Sequence, residues 1–268
     1  MASSVNAATD LDPEARGGLE DLLLVLADSK RLLGMRYAEW ILGAPELEAG
    51  IACASMAQDE WGHARQMYAI LKDFGQDPGA LEHAREPGAY RNMAVLDRDP
   101  GSWAGLIALN LLADGALALQ LDALRACAYE PLRTRCDKLL EEERFHAAHA
   151  SAWARRFAGG GEPARRTLAE ALEAVLPEVL RWFGPPGGRA AELEAAGVLS
   201  AHGDALRERL AARVRPVLEE LGAAALLDAG PPSFDGFDEV RRRSGGGGPD
   251  PDTVARVRGD RNRAFLMD

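Results

Sequence analysis

The sequence predicts an all-α fold, a four-helix bundle with one long crossover. Three observations carry that expectation. Apolar residues recur at spacings of three and four along several stretches of about 25 residues, the signature of amphipathic helices. Sustained period-two alternation and Asn-Gly hairpin chemistry are missing, so no strand is expected. Glycine and proline fall between the periodic stretches and divide them into two closely linked pairs joined by a long connection.

Residues 1–17 are polar and read as a loose N-terminal arm. The first helix is expected over 18–42, closed by Gly43, Ala44 and Pro45. Pro45 suits the first turn of a second helix running to about Phe74. Residues 75–101 carry glycine and proline with no long period and read as a connection with one short helix. A third helix spans 103–129, and Pro131 opens a fourth that lasts to about Phe157 before Gly159, Gly160 and Gly161. A fifth helix covers about 163–183, with a kink or break near Pro177. After a turn at 184–188, a further helical stretch spans 204–221. The tail is rich in Gly, Pro and Arg, with a flexible run at 245–248 and one late helical stretch at about 252–265. The expected division is an arm (1–17), a helical domain (18–228, its four-helix core about 18–158) and the tail (229–268).

Composition narrows the class. The chain has 268 residues, 47% hydrophobic and 27% charged, enough apolar content for a sizeable core. No apolar run is expected to reach the roughly 20 residues of a membrane helix. Residues 3–12 lack the basic start and apolar stretch of a secretory leader. The three cysteines, Cys53, Cys127 and Cys136, are widely spaced and helical, which suits buried free thiols in the cytoplasm. A net charge of -11 argues against nucleic acid, which needs a basic footprint.

The informative charges are the few that interrupt apolar stripes. The second helix carries Cys53, Met56, Glu60, His63, Met67, Ile70 and Phe74 on one face. The fourth carries Cys136, Leu139, Glu143, His146, Ala150, Trp153 and Phe157. Each stripe is apolar except for a Glu and a His three residues later, one turn apart on the same side. A buried carboxylate or imidazole is costly unless paired or bound to a metal. Two such pairs facing inward in one bundle are the arrangement of a carboxylate-bridged dimetal site. A satisfied pair of polar anchors in the core is the blander alternative.

The third helix supplies a further acid, Asp114, in an apolar run from Leu111 to Leu117. Asp114 and Glu143 are nearly equidistant from the turn at 129–131 and should meet at one level; Asp122 is a poorer candidate. The first helix breaks the pattern. Its stripe, Leu23, Leu26, Lys30, Leu33, Tyr37 and Trp40, puts Lys30, or Arg31 one residue on, where a carboxylate is expected. Three completions stay open: Lys30 neutralises a depleted site by pairing with Glu60 or Asp114, Asp28 or Glu39 turns in as the missing ligand, or the site holds one metal or none.

These residues resemble a known family. Gln58-Asp59-Glu60-Trp61-Gly62-His63 resembles a segment of the catalytic subunit of the phenylacetyl-CoA epoxidases, multicomponent bacterial diiron monooxygenases. Trp103-Ala104, Leu112-Ala113-Asp114-Gly115-Ala116, Tyr129 with Pro131, and Glu142-Glu143 with Phe145-His146 follow in the same order. Weaker similarity continues through Trp182-Phe183-Gly184-Pro185 and the 206–209, 218–222 and 237–240 segments. Leu26-Ala27-Asp28 and Glu39-Trp40 look more like the family's second, iron-free ferritin-like subunit.

The resemblance implies a ferritin-like bundle with additional C-terminal helices and an extended tail. It implies that Glu60, His63, Asp114, Glu143 and His146 are five of six iron ligands, the sixth falling on Lys30 or Arg31. Two irons are expected, with one or none as the alternatives. The implied activity is oxygen insertion from O2 into an aromatic or acyl substrate, such as a CoA thioester. Glu60, Glu143, Asp114 and Lys30 are then the candidate catalytic residues. The implied partners are an electron-donating reductase and further copies of the chain or a related subunit. The alternative is a metal-poor scaffold subunit that supports a catalytic partner. Leu33, Tyr37, Asn110 and Leu117 are candidates to line the pocket or simply to pack the core. His149 is expected behind His146 or at the surface, and His83 and His202 in exposed connections. Arg241, Arg242 and Arg243 form a basic cluster for a CoA phosphate or a solvated tail.

Overall fold

The computed structural model describes residues 4–265, with side chains other than those of 263 and 264. Its fold is all-α and ferritin-like. Helix α1 (Pro13–Glu39) starts five residues earlier than the stripe suggests. Asp12 caps it by accepting from the backbone N–H of Glu14 at 3.0 Å, and Pro13 sits at the first turn, where its missing N–H costs nothing. The segment before it is tied down rather than loose. The Val5 N–H donates to Ala128, and the Glu130 N–H donates back to Val5. Residues 1–3 of the expected arm and 266–268 of the tail lie outside the described residues.

Helix α2 (Leu47–Leu71) returns along α1 and continues as a 3₁₀ turn to Phe74. The two helices approach closely at Gly34. A methyl group there would stand 2.7 Å from the Trp61 indole, whose N–H donates to the Arg31 carbonyl at 3.2 Å. The connection holds one short helix, α3 (Pro78–His83), and two 3₁₀ turns.

The third bundle helix is α4 (Trp103–Leu109), a π turn (Asn110–Asp114) and α5 (Gly115–Leu124) in one continuous rod. A π turn takes an extra residue, so α5 runs about 100° out of phase with α4. That shift is invisible to a pattern search tuned to one period. This rod is the one stretch among the described residues long and apolar enough to cross a membrane, with a mean hydropathy of 1.6. The expectation that no such stretch exists is therefore wrong on length and composition. Here 94% of the stretch is buried, as the core helix of the bundle.

Helix α6 (Glu130–Gly159) completes the bundle. Helix α7 (Glu162–Trp182) runs unbroken through Pro177 rather than stopping there. A short helix not expected from the sequence, α8 (Gly188–Ala195), precedes α9 (Gly203–Leu221). The tail forms a two-residue hairpin, β1 (Phe237–Asp238) with β2 (Arg243–Ser244), then α10 (Pro251–Val257) and a 3₁₀ turn. Strands this short have no period to detect.

The basic cluster of the tail is mostly buried. Arg242, in the hairpin's own loop, is buried with Nη1 donating to Gln120 at 2.8 Å and Nη2 to the Phe183 carbonyl at 3.0 Å. Arg243 pairs with Asp97 at 2.5 Å. Neither is a free phosphate-binding group, nor a solvated one; they tie the tail to the bundle. Cys53, Cys127 and Cys136 are free and buried. His83 is exposed, whereas His202 is half-buried against Glu194.

The close approach at Gly34 gives a direct test. Gly34→Ala should cost about 1–3 kcal/mol of unfolding free energy through overpacking against Trp61, measured by chemical denaturation. Trp61→Leu in the same chain should recover part of the loss, and no loss at all would mean that α1 and α2 pack less closely than described.

Candidate metal centre

Four helices deliver one inward polar side chain or more to the same level of the bundle. Lys30 comes from α1, Glu60 and His63 from α2, Asp114 from the π turn, and Glu143 and His146 from α6. All six are buried, with none more than 4% exposed. One oxygen each from Glu60, Asp114 and Glu143 and one nitrogen of His146 lie within 4.8 Å of one another, close enough to share a metal ion. His63 adjoins the group, its Nδ1 3.3 Å from Glu143 Oε1.

Lys30 points to the centre. Its ammonium donates to Glu60 Oε1 at 2.8 Å, to Asp114 Oδ1 at 3.0 Å, and to Glu143 Oε1. The inward base is therefore Lys30 and not Arg31, which pairs with Glu82 at 2.6 Å and donates to the Val257 carbonyl. Lys30 pairs with three acids, not only one of the two expected.

Asp28 and Glu39 do not turn in to complete the site. Asp28 faces a separate buried network, accepting from the Tyr68 hydroxyl at 2.6 Å, from Arg85 and from the Arg91 N–H at 2.8 Å. Glu39 pairs with Arg36 and Arg256, each at 2.9 Å. Asp122 is half exposed, beside Arg125 and Arg209.

Two residues that the stripes did not single out hold the imidazoles. His63 Nε2 meets Glu142 Oε2 at 2.7 Å, and His146 Nε2 meets Asp59 Oδ2 at 3.3 Å. The pairing is crossed: each helix's histidine is held by the other helix's acid. Asp59 and Glu142 each directly precede the glutamate of a Glu-x-x-His pair, and that doublet was the available signal. Both rings consequently turn Nδ1 inward. A carboxylate behind the outer nitrogen of an inward imidazole is the usual support of a metal-bound histidine.

Asp114 is the most heavily bonded acid. Besides Lys30, it accepts from Tyr37 at 2.8 Å and Asn110 at 3.2 Å, and it meets His146 Nδ1 at 2.9 Å. Tyr37 and Asn110 are thus part of the polar centre, while Leu33 and Leu117 are plain core. His149 stands behind Asn110, at 3.2 Å from its side-chain oxygen.

The charges respond to one another. Burial would pull the Lys30 ammonium down, but Asp114, Glu143 and Glu60 outweigh it and hold it above the ordinary lysine value. Burial raises Asp114, yet Lys30 and His146 bring it well below the usual carboxylate range. Burial opposes a charge on His146 too, and Asp114 with Glu60 reverses that and lifts it to about 11. Glu60 and Glu143 remain above normal, each at about 7, because burial and the neighbouring carboxylates exceed the pull of Lys30. His63 is lowered, chiefly by burial, so its proton belongs on Nε2 toward Glu142. Its Nδ1 is buried without a partner, and so is Glu60 Oε2.

These donors suit a metal: inward imidazole nitrogens, hard carboxylate oxygens and two buried polar atoms with nothing to bond. They do not suit two metals with six ligands, because the α1 position holds a cation in direct contact with three of the acids. A cleft of about 580 Å³ between α5, α6 and α9 reaches Glu143 from outside. Leu119, Leu140 and Ala147 line it together with charges of both signs, Asp122, Asp137 and Glu141 as well as Arg125, Arg144 and Arg213.

Lys30→Met should cost about 3–5 kcal/mol of stability in metal-free protein, the penalty for leaving buried carboxylates without their counter-charge, read from denaturant unfolding. The pH dependence has a definite sign. Folded Glu60 and Glu143 keep their protons to about 7, against an ordinary 4.5. Their contribution is therefore full below pH 4.5 and lost as pH rises through 7. The melting temperature of metal-free protein should fall between pH 5 and 8, and Glu60→Gln should flatten the slope; a rise over that range would contradict the assignment.

Comparison with known proteins places the chain in a family. The family model for phenylacetic acid catabolic protein matches residues 1–225. The A chain of 1,2-phenylacetyl-CoA epoxidase from Escherichia coli (strain K12) is 26% identical over 146 residues, covering 54% of this chain and 47% of that one. The C chain of the same enzyme is 24% identical over 151 residues, covering 56% of this chain and 61% of that one. The chain thus spans about half of the length of the first of these relatives and about three-fifths of the second. The catalytic-subunit resemblance read from the sequence is accordingly matched by similarity to two different components at nearly equal identity. With five-sixths of its length matched by the family model, the chain belongs to the phenylacetic acid catabolic protein family.

Proposed function

We propose that this chain is an oxygenase subunit of the epoxidase type, inserting oxygen from O2 into an aromatic or acyl substrate such as a CoA thioester. The observation that supports it best is the crossed pairing of His63 with Glu142 and His146 with Asp59, which aims both Nδ1 atoms into a carboxylate cage. Structural polar anchors need no such orientation. A pair buried only for packing needs no carboxylate behind each outer nitrogen; that support leaves the His63 Nδ1 lone pair toward the centre, and the inner proton of His146 would be displaced on metal binding.

Glu60, Asp114, Glu143 and His146 would hold the metal, with His63 adjoining. A redox-active metal bound there supplies the dioxygen chemistry. The protein supplies the rest. Asp59 and Glu142 fix the rings, and Tyr37 and Asn110 orient Asp114. Leu119, Leu140 and Ala147 in the α5–α6–α9 cleft offer apolar surface for an uncharged ring or acyl chain toward Glu143, among charged residues of both signs. Partner chains of the same family and an electron-donating reductase complete the working assembly. Ile51, Leu47 and Leu42, exposed together around the α1–α2 turn, support association with such a chain.

A second reading is favoured by Lys30. Its three bonds neutralise much of the cage without metal, as expected of a scaffold whose catalytic partner holds the iron.

The two readings separate in a reconstituted assembly given a reductase, ferrous iron and an aryl-acetyl thioester under ¹⁸O₂. Incorporation of ¹⁸O should fall at least about 100-fold when this chain carries Glu60→Ala or His146→Ala, in line with the loss of a metal ligand's support. Full incorporation with either variant would assign the chemistry to another component of the assembly, leaving this chain to scaffolding.

A further inference from the structure

We infer that this cage is built for a single divalent cation, with the Lys30 ammonium occupying the place of a second. This rests on the metal-centre reading above and goes beyond it by fixing the number of ions and the residues that hold them.

The argument is one of charge. In a buried site, fixed charges must nearly cancel, because water is absent to screen an excess. With a metal displacing any carboxyl protons, Glu60, Asp114 and Glu143 bring three negative charges and Lys30 one positive, all within hydrogen-bonding contact. The remainder of two negative charges matches one divalent ion when both imidazoles are neutral, with His146 the one that binds it. A carboxylate at position 30 would leave four negative charges and match two. Exchanging an acid for a lysine changes the balance by two, the charge of one such ion. The substitution therefore leaves a site that is electrically complete with one cation, rather than a ruined one.

The bonding pattern agrees. Lys30 takes one oxygen of each carboxylate: Glu60 Oε1, Asp114 Oδ1 and Glu143 Oε1. Glu60 Oε2 stays buried without a partner, and Glu143 Oε2 lies 3.8 Å from His146 Nδ1. Glu143 can thus meet the ammonium through one oxygen and a cation through the other, while Glu60 shares Oε1 between Lys30 and His146 Nδ1, 3.2 Å away, and keeps Oε2 spare. The four residues close enough to share an ion are Glu60, Asp114, Glu143 and His146. His63 stands outside that group, its unpartnered Nδ1 beside the Glu143 oxygen that Lys30 holds.

The test is anaerobic titration of the full-length chain with ferrous ion alone, followed by desalting and elemental analysis, with melting temperature as a second readout. One equivalent should be retained, and saturation should raise the melting temperature. His146→Ala should lose the ion, whereas His63→Ala should keep about one equivalent. Lys30→Glu should retain two. Two equivalents in the unaltered chain would overturn the single-cation inference while leaving the oxygenase reading standing. No retained iron would overturn both. Loss of the ion in a folded His63→Ala chain would overturn the assignment of the four ligands. Should Lys30→Glu fail to fold, the count in the unaltered chain decides.

Discussion

Three carboxylates buried at one level of a helical bundle must be met by positive charge, and the rest of this molecule is arranged around that requirement. Glu60, Asp114 and Glu143 come from different helices, so no local rearrangement can separate them without unpacking the core. Lys30 answers them from α1, the remaining helix of the bundle. The result is a bundle cross-linked through its middle by ionic contacts, where a purely apolar core would pack as well or better. Retaining so expensive a centre is intelligible as a site, and much less so as a means of stability.

The surroundings follow from the same constraint. Every buried polar group near the cage has to be held in one orientation, or it would turn toward whichever charge it preferred. Asp59 and Glu142 do this for the histidines, and Tyr37 and Asn110 for Asp114. The π turn at Asn110–Asp114 puts two of these residues in reach of each other within one helix. A similar but independent network, Asp28 with Tyr68 and Arg85, fastens the long connection to α1 only two residues from Lys30. Adjacent positions on one helix thus serve two separate charge clusters, on opposite sides of α1.

Much of the centre was legible in the sequence because burial and helical period act together. Glu60, His63, Glu143 and His146 stood out as polar breaks in apolar stripes, and equal distance from a turn placed Asp114 beside Glu143. The same logic put Lys30 inward. What stayed hidden depended on tertiary partners. Nothing in a stripe says that Asp28 faces Arg85 across the connection, or that Glu39 is already taken by Arg36 and Arg256. Asp59 and Glu142 lie just off the inward face, so burial gave no signal for them; only their crossed reach to the opposite histidine reveals their part. The tail misled for the opposite reason. Arginine-rich and glycine-rich composition suggests solvent, yet Arg242 and Arg243 are consumed by Gln120, Phe183 and Asp97.

Similarity to two different components of one epoxidase poses a choice that overall identity cannot make, since the two values differ by only two percentage points. The choice falls to the chemistry of one position. A glutamate and a lysine have similar reach from the same helix face, but they ask opposite things of the three acids they meet. A glutamate adds a fourth negative charge that only metal can offset. A lysine removes part of the need for metal while leaving the imidazoles and the second carboxylate oxygens in place. On the single-cation proposal, one side chain of α1 thus sets how much metal the cage calls for, while the imidazoles and the other carboxylates keep their places.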